Sequence, residues 1–196
     1  YTDVEGVYTA DPRIVPHARK LKEVSYDEML EFASVGAKVL HNRSVEMAKK
    51  YGVRMVVLSS LTRAEGTVVK EGAKMERMLV SGVAADKNTA RISVIGVKNE
   101  PGIAFKIFNM LARNHINVDI IIQSVGREDR KDISFTLART DLQEDMTLLN
   151  ENQAAITAQK ITCEEGVAKV SIIGAGMLSN PGVAAKMFEA LYDAGV

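Results

Sequence analysis

Residues Arg91–Gln123, RISVIGVKNEPGIAFKIFNMLARNHINVDIIIQ, contain a segment that occurs twice in this 196-residue chain. The stretch Lys169–Val196, KVSIIGAGMLSNPGVAAKMFEALYDAGV, repeats its first two-thirds, and each copy has a Pro-Gly pair after an apolar run. An internal repeat with a spacing of about 80 residues indicates that one structural unit is used twice. The fold of the chain therefore depends on the fold of this repeat.

The first copy predicts a strand, a helix and a second strand. Ile92–Val97 is an apolar run of strand length, and Asn99 can cap a helix that has Pro101 in its first turn. A second strand is predicted over Ile116–Val125. Between the strands, an apolar stripe at helical spacing consists of Ile103, Ala104, Ile107, Phe108 and Leu111.

The residues after the first copy complete a module. The alternation at Ile133, Phe135 and Leu137 predicts a third, half-buried strand. We expect Asp141 to cap a second helix that reaches about Ala155, and a fourth strand over Gln159–Thr162. The order β-α-β-β-α-β is the ferredoxin-like motif, in which two helices cover one face of the sheet. The other face or an edge is free to pair with a second copy.

The residues before the repeat predict part of an α/β domain. Ser25-Tyr26-Asp27-Glu28 has the spacing of a capping box and predicts a helix that ends near Gly36. A second helix is expected over about Lys38–Tyr51. The continuous apolar run Val53–Leu58 is typical of a buried parallel strand.

The composition excludes several classes of protein. Twenty-five basic and twenty-five acidic residues give zero formal charge, which argues against a nucleic-acid partner. The candidate strands Ile92–Val97 and Val118–Val125 also lack the aromatic residues on which RNA-binding modules of this fold stack bases. No apolar run approaches ~20 residues, so we expect a cytoplasmic protein that does not enter a membrane.

The cysteine and histidine residues argue against a resident metal. The single cysteine, Cys163, excludes an intramolecular disulfide and a cysteine-rich metal site, and we expect it to be a small apolar residue at a strand edge. His17 and His41 have no ligand-spaced partners. The chain starts within a strand pattern without a methionine, and its second copy stops midway, so we expect it to be a segment of a longer protein.

A group of residues near the start of the chain could bind a nucleotide. Thr2, Asp3 and Arg13 offer hydroxyl, carboxylate and guanidinium groups at a strand end, where open α/β sheets bind nucleotides, and Tyr8 offers a flat ring for a base. Lys38 lies at a predicted helix start, where an acidic residue would be favoured by ~0.3–1 kcal/mol, so it could hold phosphates instead. The alternative is an ordinary surface hairpin over residues 1–13 and a solvated lysine.

The helix start at Asn99–Ala104 could bind a small acid. Its first backbone N–H groups have no partner within the helix, and Gly102 lets a ligand approach the backbone. Asn117, Asp119 and Gln123 share one face of the next predicted strand, and Asp119 could hold an ammonium group. A carboxylate site beside an ammonium site describes a free amino acid. The alternative is a plain helix start followed by polar residues at the entry to a strand.

With these residues in view, the chain resembles a known family, aspartokinase, over essentially its whole length. YTDVEGVYTADPRIVPHARKL, followed by SYDEMLEFASVGAKVLHNRSVEMAKKYGV, is similar to the nucleotide-binding half of that kinase domain. The two Pro-Gly helix modules are similar to its tandem ACT domains, which bind feedback effectors. Each short motif is weak alone. YTDVEGVYTADPR at this distance before GAKVLHNRSVE, followed by two such modules, is highly specific.

The resemblance implies a mixed fold, α/β and then α+β. The C-terminal part of a three-layer amino-acid-kinase α/β domain would be followed by ferredoxin-like ACT domains, the second incomplete. We expect the nucleotide-binding part at residues 1–72, a linker with the first ACT domain at 73–162, and the start of the second at 163–196. The glycine- and charge-rich stretch Arg63–Lys74 would mark the first boundary. Leu79–Ala84 looks like a strand that the sequence assigns to neither domain.

The resemblance also implies an aspartate kinase, which transfers the γ-phosphoryl group of ATP, with Mg²⁺, to the side-chain carboxylate of L-aspartate. Lys38 would be catalytic, because its charge would neutralise the oxygen that bridges to the β-phosphate. The residues implied to contact ATP are Thr2, Asp3, Tyr8, Thr9, Ala10, Asp11, Pro12, Arg13 and Lys38.

Feedback control by lysine, threonine or both would act through the ACT domains. Asn99 departs from the family pattern, which often has aspartate there, and the change removes a charge that could meet an effector's ammonium group. The effector contacts implied in the first copy are Asn99, Pro101, Gly102, Ile103, Ala104, Asn117, Val118, Asp119 and Gln123. A second effector site would fall on Leu178, Ser179, Pro181, Gly182 and Val183.

We further expect a homo-oligomer that assembles through the ACT domains. The family's phosphate loop and aspartate-binding residues are absent from this sequence, so we expect that this polypeptide alone does not phosphorylate aspartate. One alternative is a non-catalytic amino-acid-sensing subunit with a vestigial nucleotide domain. Another is an unrelated ferredoxin-like interaction module.

Overall fold

The structure, a computed structural model, describes residues 3–37, 39–62, 64–72, 79–124, 126, 129–178 and 180–196. The chain divides into two compact units. The first unit is made of two separate segments, Tyr1–Asp86 and Val170–Val196. The second unit, Lys87–Lys169, is inserted between them in sequence.

The N-terminal segment of the first unit contains a small mixed sheet and two helices. Strand β3 (Thr67–Lys70) lies in the middle, parallel to β1 (Glu23–Ser25) and antiparallel to β2 (Met55–Val57). Helix α1 (Tyr26–Ser34) follows β1, and helix α2 (Asn42–Tyr51) precedes β2. Fully buried apolar side chains from these elements form the core, among them Val24, Met29, Phe32, Val45, Val57 and Val69.

Helix α1 begins at the capping box that the sequence predicts. The Ser25 hydroxyl accepts a hydrogen bond from the Glu28 N–H, and a Glu28 carboxylate oxygen accepts one from the Ser25 N–H, both at 3.3 Å. Glu28 is only 1% exposed, and its other carboxylate oxygen accepts a hydrogen bond from the Ser81 hydroxyl. The capping box is therefore also a buried connection between α1 and the segment around Ser81.

Two predictions about this unit are wrong, one about a strand and one about a domain boundary. The run Val53–Leu58 forms a strand only at Met55–Val57, and that strand is antiparallel to its neighbour, with Val56 44% exposed. The stretch Arg63–Lys74, expected to be a boundary, contains the central strand β3. The two valines of β3, Val68 and Val69, are flanked by glycine and charged residues. The local sequence pattern therefore does not predict their contacts with the neighbouring strands.

Helix α2 begins four residues later than predicted. His41 is its N-cap, and the imidazole Nδ1 accepts a hydrogen bond from the Arg43 N–H at 3.3 Å. The helix ends as expected, because Gly52 takes a left-handed conformation with φ of 63°. Tyr8, which lies in the hairpin predicted for residues 1–13, forms an antiparallel bridge with Lys20, a residue outside that hairpin.

The strand that the sequence leaves unassigned pairs with the second copy of the repeat. It is β4 (Gly82–Asp86), and it forms a two-stranded sheet with β9 (Lys169–Ile173). The Ser81 N–H donates to the Ile173 carbonyl at 2.6 Å just before β4. Helix α5 (Val183–Asp193) follows β9.

The second unit is a four-stranded antiparallel sheet with two helices. The strand order is β6-β7-β5-β8, with β6 at one edge and β8 at the other. This order, with one helix after the first strand and one after the third, is the ferredoxin-like arrangement. Its elements are β5 (Thr89–Lys98), α3 (Ile103–Arg113), β6 (Ile121–Gln123), β7 (Arg130–Ala138), α4 (Leu142–Glu151) and β8 (Lys160–Glu164).

The core of this unit follows the predicted apolar periodicity. Alternate residues of β5 and β7 are buried against the apolar stripe of α3. Phe108 and Phe135 pack edge to face, with ring centroids 5.6 Å apart. Other members of this core, each at most 4% exposed, are Ile92, Val94, Ile103, Ile107, Leu111, Ile133 and Leu137.

Two local predictions for this unit need correction. Helix α3 has Gly102 as its N-cap, not Asn99, and no side chain caps it. Strand β6 covers only Ile121–Gln123 of the predicted run, and Val125 lies outside the described residues. Cys163 lies on the edge strand β8, as expected, and is exposed.

The two copies of the repeat share the same strand-to-helix transition. Gly102 has a φ of 89° and Gly182 a φ of 92°, and each precedes a helix of 11 residues. The glycine carbonyl accepts the first helical hydrogen bond in both copies, from Lys106 at 2.9 Å and from Lys186 at 3.1 Å. The repeat seen in the sequence is therefore a repeat of structure.

Asp145 on α4 is an unusual member of the second unit's core. It is 1% exposed, and its Oδ2 atom has no hydrogen-bond partner among the described residues. Burial, with a smaller contribution from Asp141 and Glu144, raises the pKa of Asp145 to about 6. Because the raised pKa means that folding favours the protonated form, this carboxylate destabilises the fold when it is ionised at neutral pH.

We predict that lowering the pH from 7 to 5 increases the free energy of unfolding through Asp145. The folded chain then binds a proton that the unfolded chain, with an ordinary aspartate pKa, does not bind, and the gain should be about 1 kcal/mol. Urea denaturation at the two pH values should show that Asp145→Asn loses this gain. Glu151→Gln, an exposed change on the same helix, should retain it, and an equal pH dependence in the wild type and Asp145→Asn would contradict the assignment.

Candidate nucleotide pocket and amino-acid site

The first unit contains a cavity of about 360 Å³ beside its N-terminal segment. Thr2 and Lys38, two of the predicted nucleotide contacts, lie outside the described residues. Thr9 has backbone and side-chain partners instead, because its hydroxyl accepts from the Arg19 N–H and its carbonyl from the Val83 N–H. The structure brings the other predicted residues together on the cavity wall: Asp3, Tyr8, Ala10, Asp11, Pro12 and Arg13.

Arg13 is held at this wall by a two-pronged hydrogen bond. Its Nε donates to Asp11 Oδ1 at 3.0 Å and its Nη2 to Asp11 Oδ2 at 2.8 Å. This hydrogen bond, followed by the charge of Asp11, raises the pKa of the Arg13 guanidinium. The side chain is 87% exposed, so its charge remains available to an anion that enters from solvent.

The sequence did not identify the second part of the cavity wall. That wall comes from the end of α1, the turn after it and strand β4. Gly36 has a φ of 104°, and a Cβ there would lie 2.9 Å from Asp86 Cβ, so the turn needs glycine both for its conformation and for its close approach to β4. The residues on this wall are Phe32, Gly36, Ala37, Val39, Val83, Ala84 and Ala85.

Strand β4 packs closely against α1 and the N-terminal segment. A Cβ on Gly82 would lie 2.6 Å from the Phe32 ring and 2.8 Å from the Thr9 carbonyl oxygen. Gly36-Ala37 is visible in the sequence as a helix end. Its contact with a strand some 50 residues later has no local signal.

In the second unit, the predicted amino-acid site divides between two ends of the sheet. Asn99 follows the end of β5, and its N–H donates to the Asp129 carbonyl at 2.8 Å. The Asp119 N–H donates to the Thr136 carbonyl at 3.0 Å. Asp129 and Thr136 are separated by roughly 20 Å along the strand direction of β7. The structure therefore does not bring Asp119 to the helix start.

Asp119 has a different partner. Its carboxylate accepts a hydrogen bond from the ammonium group of Lys169, in the same unit, and forms an ion pair with it. Asn117 is exposed in irregular backbone before β6, and Val118 packs partly buried against the core. The strand periodicity that placed Asn117 and Asp119 on one face with Gln123 fails because β6 begins only at Ile121.

Gln123 lies at the same end of the sheet as Asn99. It pairs with Ile133 at the end of β6, and β6 runs parallel to β5 because both are antiparallel to β7. Three residues beyond Gln123, Gly126 comes close to Asn99, since a Cβ on Gly126 would lie 3.3 Å from Asn99 Nδ2. Gly126 and Asp129 are neighbours of this site that the sequence alone did not indicate.

The helix start itself is open. Pro101 and Gly102 are exposed, no side chain caps α3, and a Cβ on Gly102 would meet nothing within 4 Å. Ile103 is fully buried and anchors the first turn in the core, and Ala104 is half-buried. Backbone N–H groups at such a helix start favour an anionic group.

The second copy has the same open start. Pro181 and Gly182 are exposed, and Val183 is 8% exposed. Leu178 ends a short 3-10 helix, Ala175–Leu178, and Ser179 lies outside the described residues. The Asn180 side chain donates to the Gly176 carbonyl at 2.8 Å.

Two features are absent from the described residues. No group of three or more His, Cys, Asp or Glu side chains within that part of the chain could hold a metal ion. No helix within it is both long enough and apolar enough to cross a membrane.

Comparison with known families assigns three parts of the chain. Residues 1–59 match the amino acid kinase family, and residues 90–152 and 170–196 match ACT domains. The fold and the site thus define a protein that joins part of an amino acid kinase domain to ACT domains. This confirms the predicted fold class.

Individual relatives identify the family. An aspartokinase of Bacillus sp. (strain MGA3) is 51% identical over 197 residues, which cover 100% of this chain and 48% of the relative. The regulatory subunit of aspartate kinase from Thermus thermophilus is 41% identical with a TM-score of 0.56, over 60% of this chain and 77% of that subunit. The chain belongs to the aspartokinase family. It spans about half the length of the curated relatives it matches.

The fold also matches a solved relative in two complexes. E. coli aspartokinase III with aspartate and ADP, in its R-state, is 31% identical with a TM-score of 0.81, over 97% of this chain and 43% of that one. The same protein with lysine and aspartate, in its T-state, is 32% identical with a TM-score of 0.72, over 89% and 38%.

Proposed function

We propose that the protein containing this chain is an aspartate kinase. It transfers the γ-phosphoryl group of ATP to the side-chain carboxylate of L-aspartate, the first step of lysine, threonine and methionine biosynthesis, and an amino acid bound at the ACT domains controls it. The observation that carries the proposal is the cavity in the first unit, whose wall is built by the N-terminal segment and by a strand that pairs with the second repeat copy.

The cavity has the chemical character of a nucleotide site. Phe32, Val39 and Val83 supply apolar surface for a base, and Tyr8 supplies a ring. The Arg13 guanidinium, fixed by Asp11, supplies a cation for phosphates. The complex of E. coli aspartokinase III with aspartate and ADP supports this assignment by analogy.

Phosphoryl transfer needs positive charge more than covalent chemistry. ATP arrives with Mg²⁺, which neutralises part of the phosphate charge. We assign Lys38 to the oxygen that bridges to the β-phosphate, where negative charge develops as the γ-phosphoryl group leaves. Its neighbours Ala37 and Val39 line the cavity, which supports the assignment.

The amino-acid effector belongs at the start of α3. Its carboxylate would accept hydrogen bonds from the backbone N–H groups after Gly102, and its polar groups would meet Asn99 and Gln123. Lysine or threonine, or both, are the candidate effectors, and the lysine complex of the E. coli enzyme supports the first. A coupling of ~1–3 kcal/mol between this site and the nucleotide pocket is enough for strong feedback inhibition.

The edge strand β6 favours assembly through this unit. Ile121 and Ile122 are 53% and 59% exposed, and an exposed apolar edge strand is a ready surface for strand pairing. We therefore propose a homo-oligomer formed through the ACT domains. We also place the protein in the cytoplasm, where ATP and free amino acids are available.

A non-catalytic amino-acid sensor is the alternative. The match to the regulatory subunit from Thermus thermophilus favours it for the ACT part of the chain. The two functions differ in what the first unit binds, because a sensor has no need of a nucleotide.

We predict that this chain binds ADP and that Ala10→Trp weakens the binding by at least about tenfold, because the indole would fill the cavity. Isothermal titration calorimetry measures the affinity. Met47→Trp, an exposed change on α2, is the matched control and should bind as the wild type does. A wild-type chain that binds no ADP would favour the sensor.

We predict that Gln123→Ala weakens amino-acid binding by about tenfold, through the loss of a polar contact to a charged ligand. Asp119→Ala should change the affinity less than about twofold, because Asp119 lies at the other end of the sheet and pairs with Lys169. Calorimetric titration with lysine and threonine, separately and together, checks both variants. A larger loss of affinity in Asp119→Ala than in Gln123→Ala would mean that Asp119 belongs to the amino-acid site.

A further inference from the structure

We infer that Arg130 is a positioning residue of the amino-acid site, which it serves by clamping a bulge in β5 to the turn before β8. The inference rests on the proposed effector function of the α3 start. Arg130 touches no proposed ligand group. It acts through Gly96 and Asn99.

Strand β5 is irregular just before the site. Its pairing with β7 shifts register between Val94 and Val97. Gly96, inside the irregular stretch, has a φ of 66°, and a Cβ on it would lie 2.2 Å from Gln159 Oε1. Glycine is therefore favoured there by its backbone conformation, and a larger residue would also require the Gln159 side chain to move. Bulges of this kind redirect a strand and the residues that follow it.

Charged side chains hold both polar groups of Gly96. Its N–H donates to Asp132 Oδ1 at 2.8 Å. Its carbonyl accepts a hydrogen bond from Arg130 Nη1, which also lies 3.5 Å from the Thr157 carbonyl oxygen. The guanidinium thus bridges the bulge and the turn between α4 and β8. Gly96 is buried, so removal of Arg130 would take a charged donor from a buried carbonyl.

The clamp acts on the site from both sides. Asn99 lies three residues after Gly96, and its N–H donates to the carbonyl of Asp129, the residue before Arg130. The Lys98 N–H donates to the Thr157 hydroxyl at 3.2 Å, so the second end of the clamp also touches the segment that leads to the helix. The path from the bulge to the start of α3 is therefore fixed by the residues that surround Arg130.

Three variants test the clamp. Arg130→Ala should weaken binding of lysine or threonine by about tenfold, since a binding site loses affinity when its supporting contacts loosen. Arg130→Lys keeps the charge but not the planar fork, and should recover part of the affinity. Arg91→Ala is the matched control, because it removes an exposed ion pair of 2.6 Å to Glu164 at the other end of β5 and should bind as the wild type does.

Amide hydrogen exchange separates this inference from the proposed function. Exchange at Gly96 and Asn99 should be faster in Arg130→Ala than in the wild type, and unchanged in Arg91→Ala, whether or not an amino acid binds. If the wild type binds neither amino acid, the effector proposal fails. Wild-type affinity or unchanged exchange in Arg130→Ala overturns the clamp. If Arg130→Ala does not fold, Arg130→Lys replaces it, and wild-type affinity together with unchanged exchange in that variant likewise overturns the clamp.

Discussion

The structure depends on a backbone conformation that only glycine adopts easily. Gly102 and Gly182 turn the chain from strand to helix with φ values near 90°, a region that costs other residues about 1 kcal/mol or more. No side chain caps either helix. In α3 the Ile103 N–H donates to the Glu100 carbonyl at 3.5 Å, and the backbone N–H groups that follow it are left to water or a ligand. Ile103 and Val183 come next and are buried, which holds each helix start against its own core.

Strand β4 connects the cavity of the first unit to the second repeat copy. Strand β4 lines the cavity with Val83, Ala84 and Ala85, and it pairs with β9. The Val83 N–H donates to the Thr9 carbonyl at 2.8 Å, and the Ser81 N–H donates to the Ile173 carbonyl. A displacement of β9 would therefore act on β4, which forms part of the cavity wall.

Features encoded by short-range patterns could be predicted from the sequence. The capping box at Ser25, the apolar stripe of α3, the alternation of β7 and the repeat itself all have the predicted form. Features that depend on distant contacts could not. Strand β3 is central only because β1 and β2 pair with it, and β4 belongs with β9 although more than 80 residues separate them in sequence.

The same distinction between short-range and distant contacts applies to the residues of the candidate sites. The N-terminal segment that lines the cavity is continuous in sequence, so its residues could be named in advance, whereas the β4 wall could not. Asp119 was grouped with Gln123 by strand periodicity, but the strand is shorter than its apolar pattern, and Lys169 is a partner that only the folded chain supplies.

The central claim is that an amino acid binds where the backbone is left open at the start of α3. Nuclear magnetic resonance of the ¹⁵N-labelled chain, titrated with lysine and with threonine, tests it most directly. We expect saturable shifts of the amide signals of Gly102, Ile103 and Ala104 and little change at Asp119. Saturable shifts centred on Asp119, or none at the helix start with either amino acid, would contradict the claim.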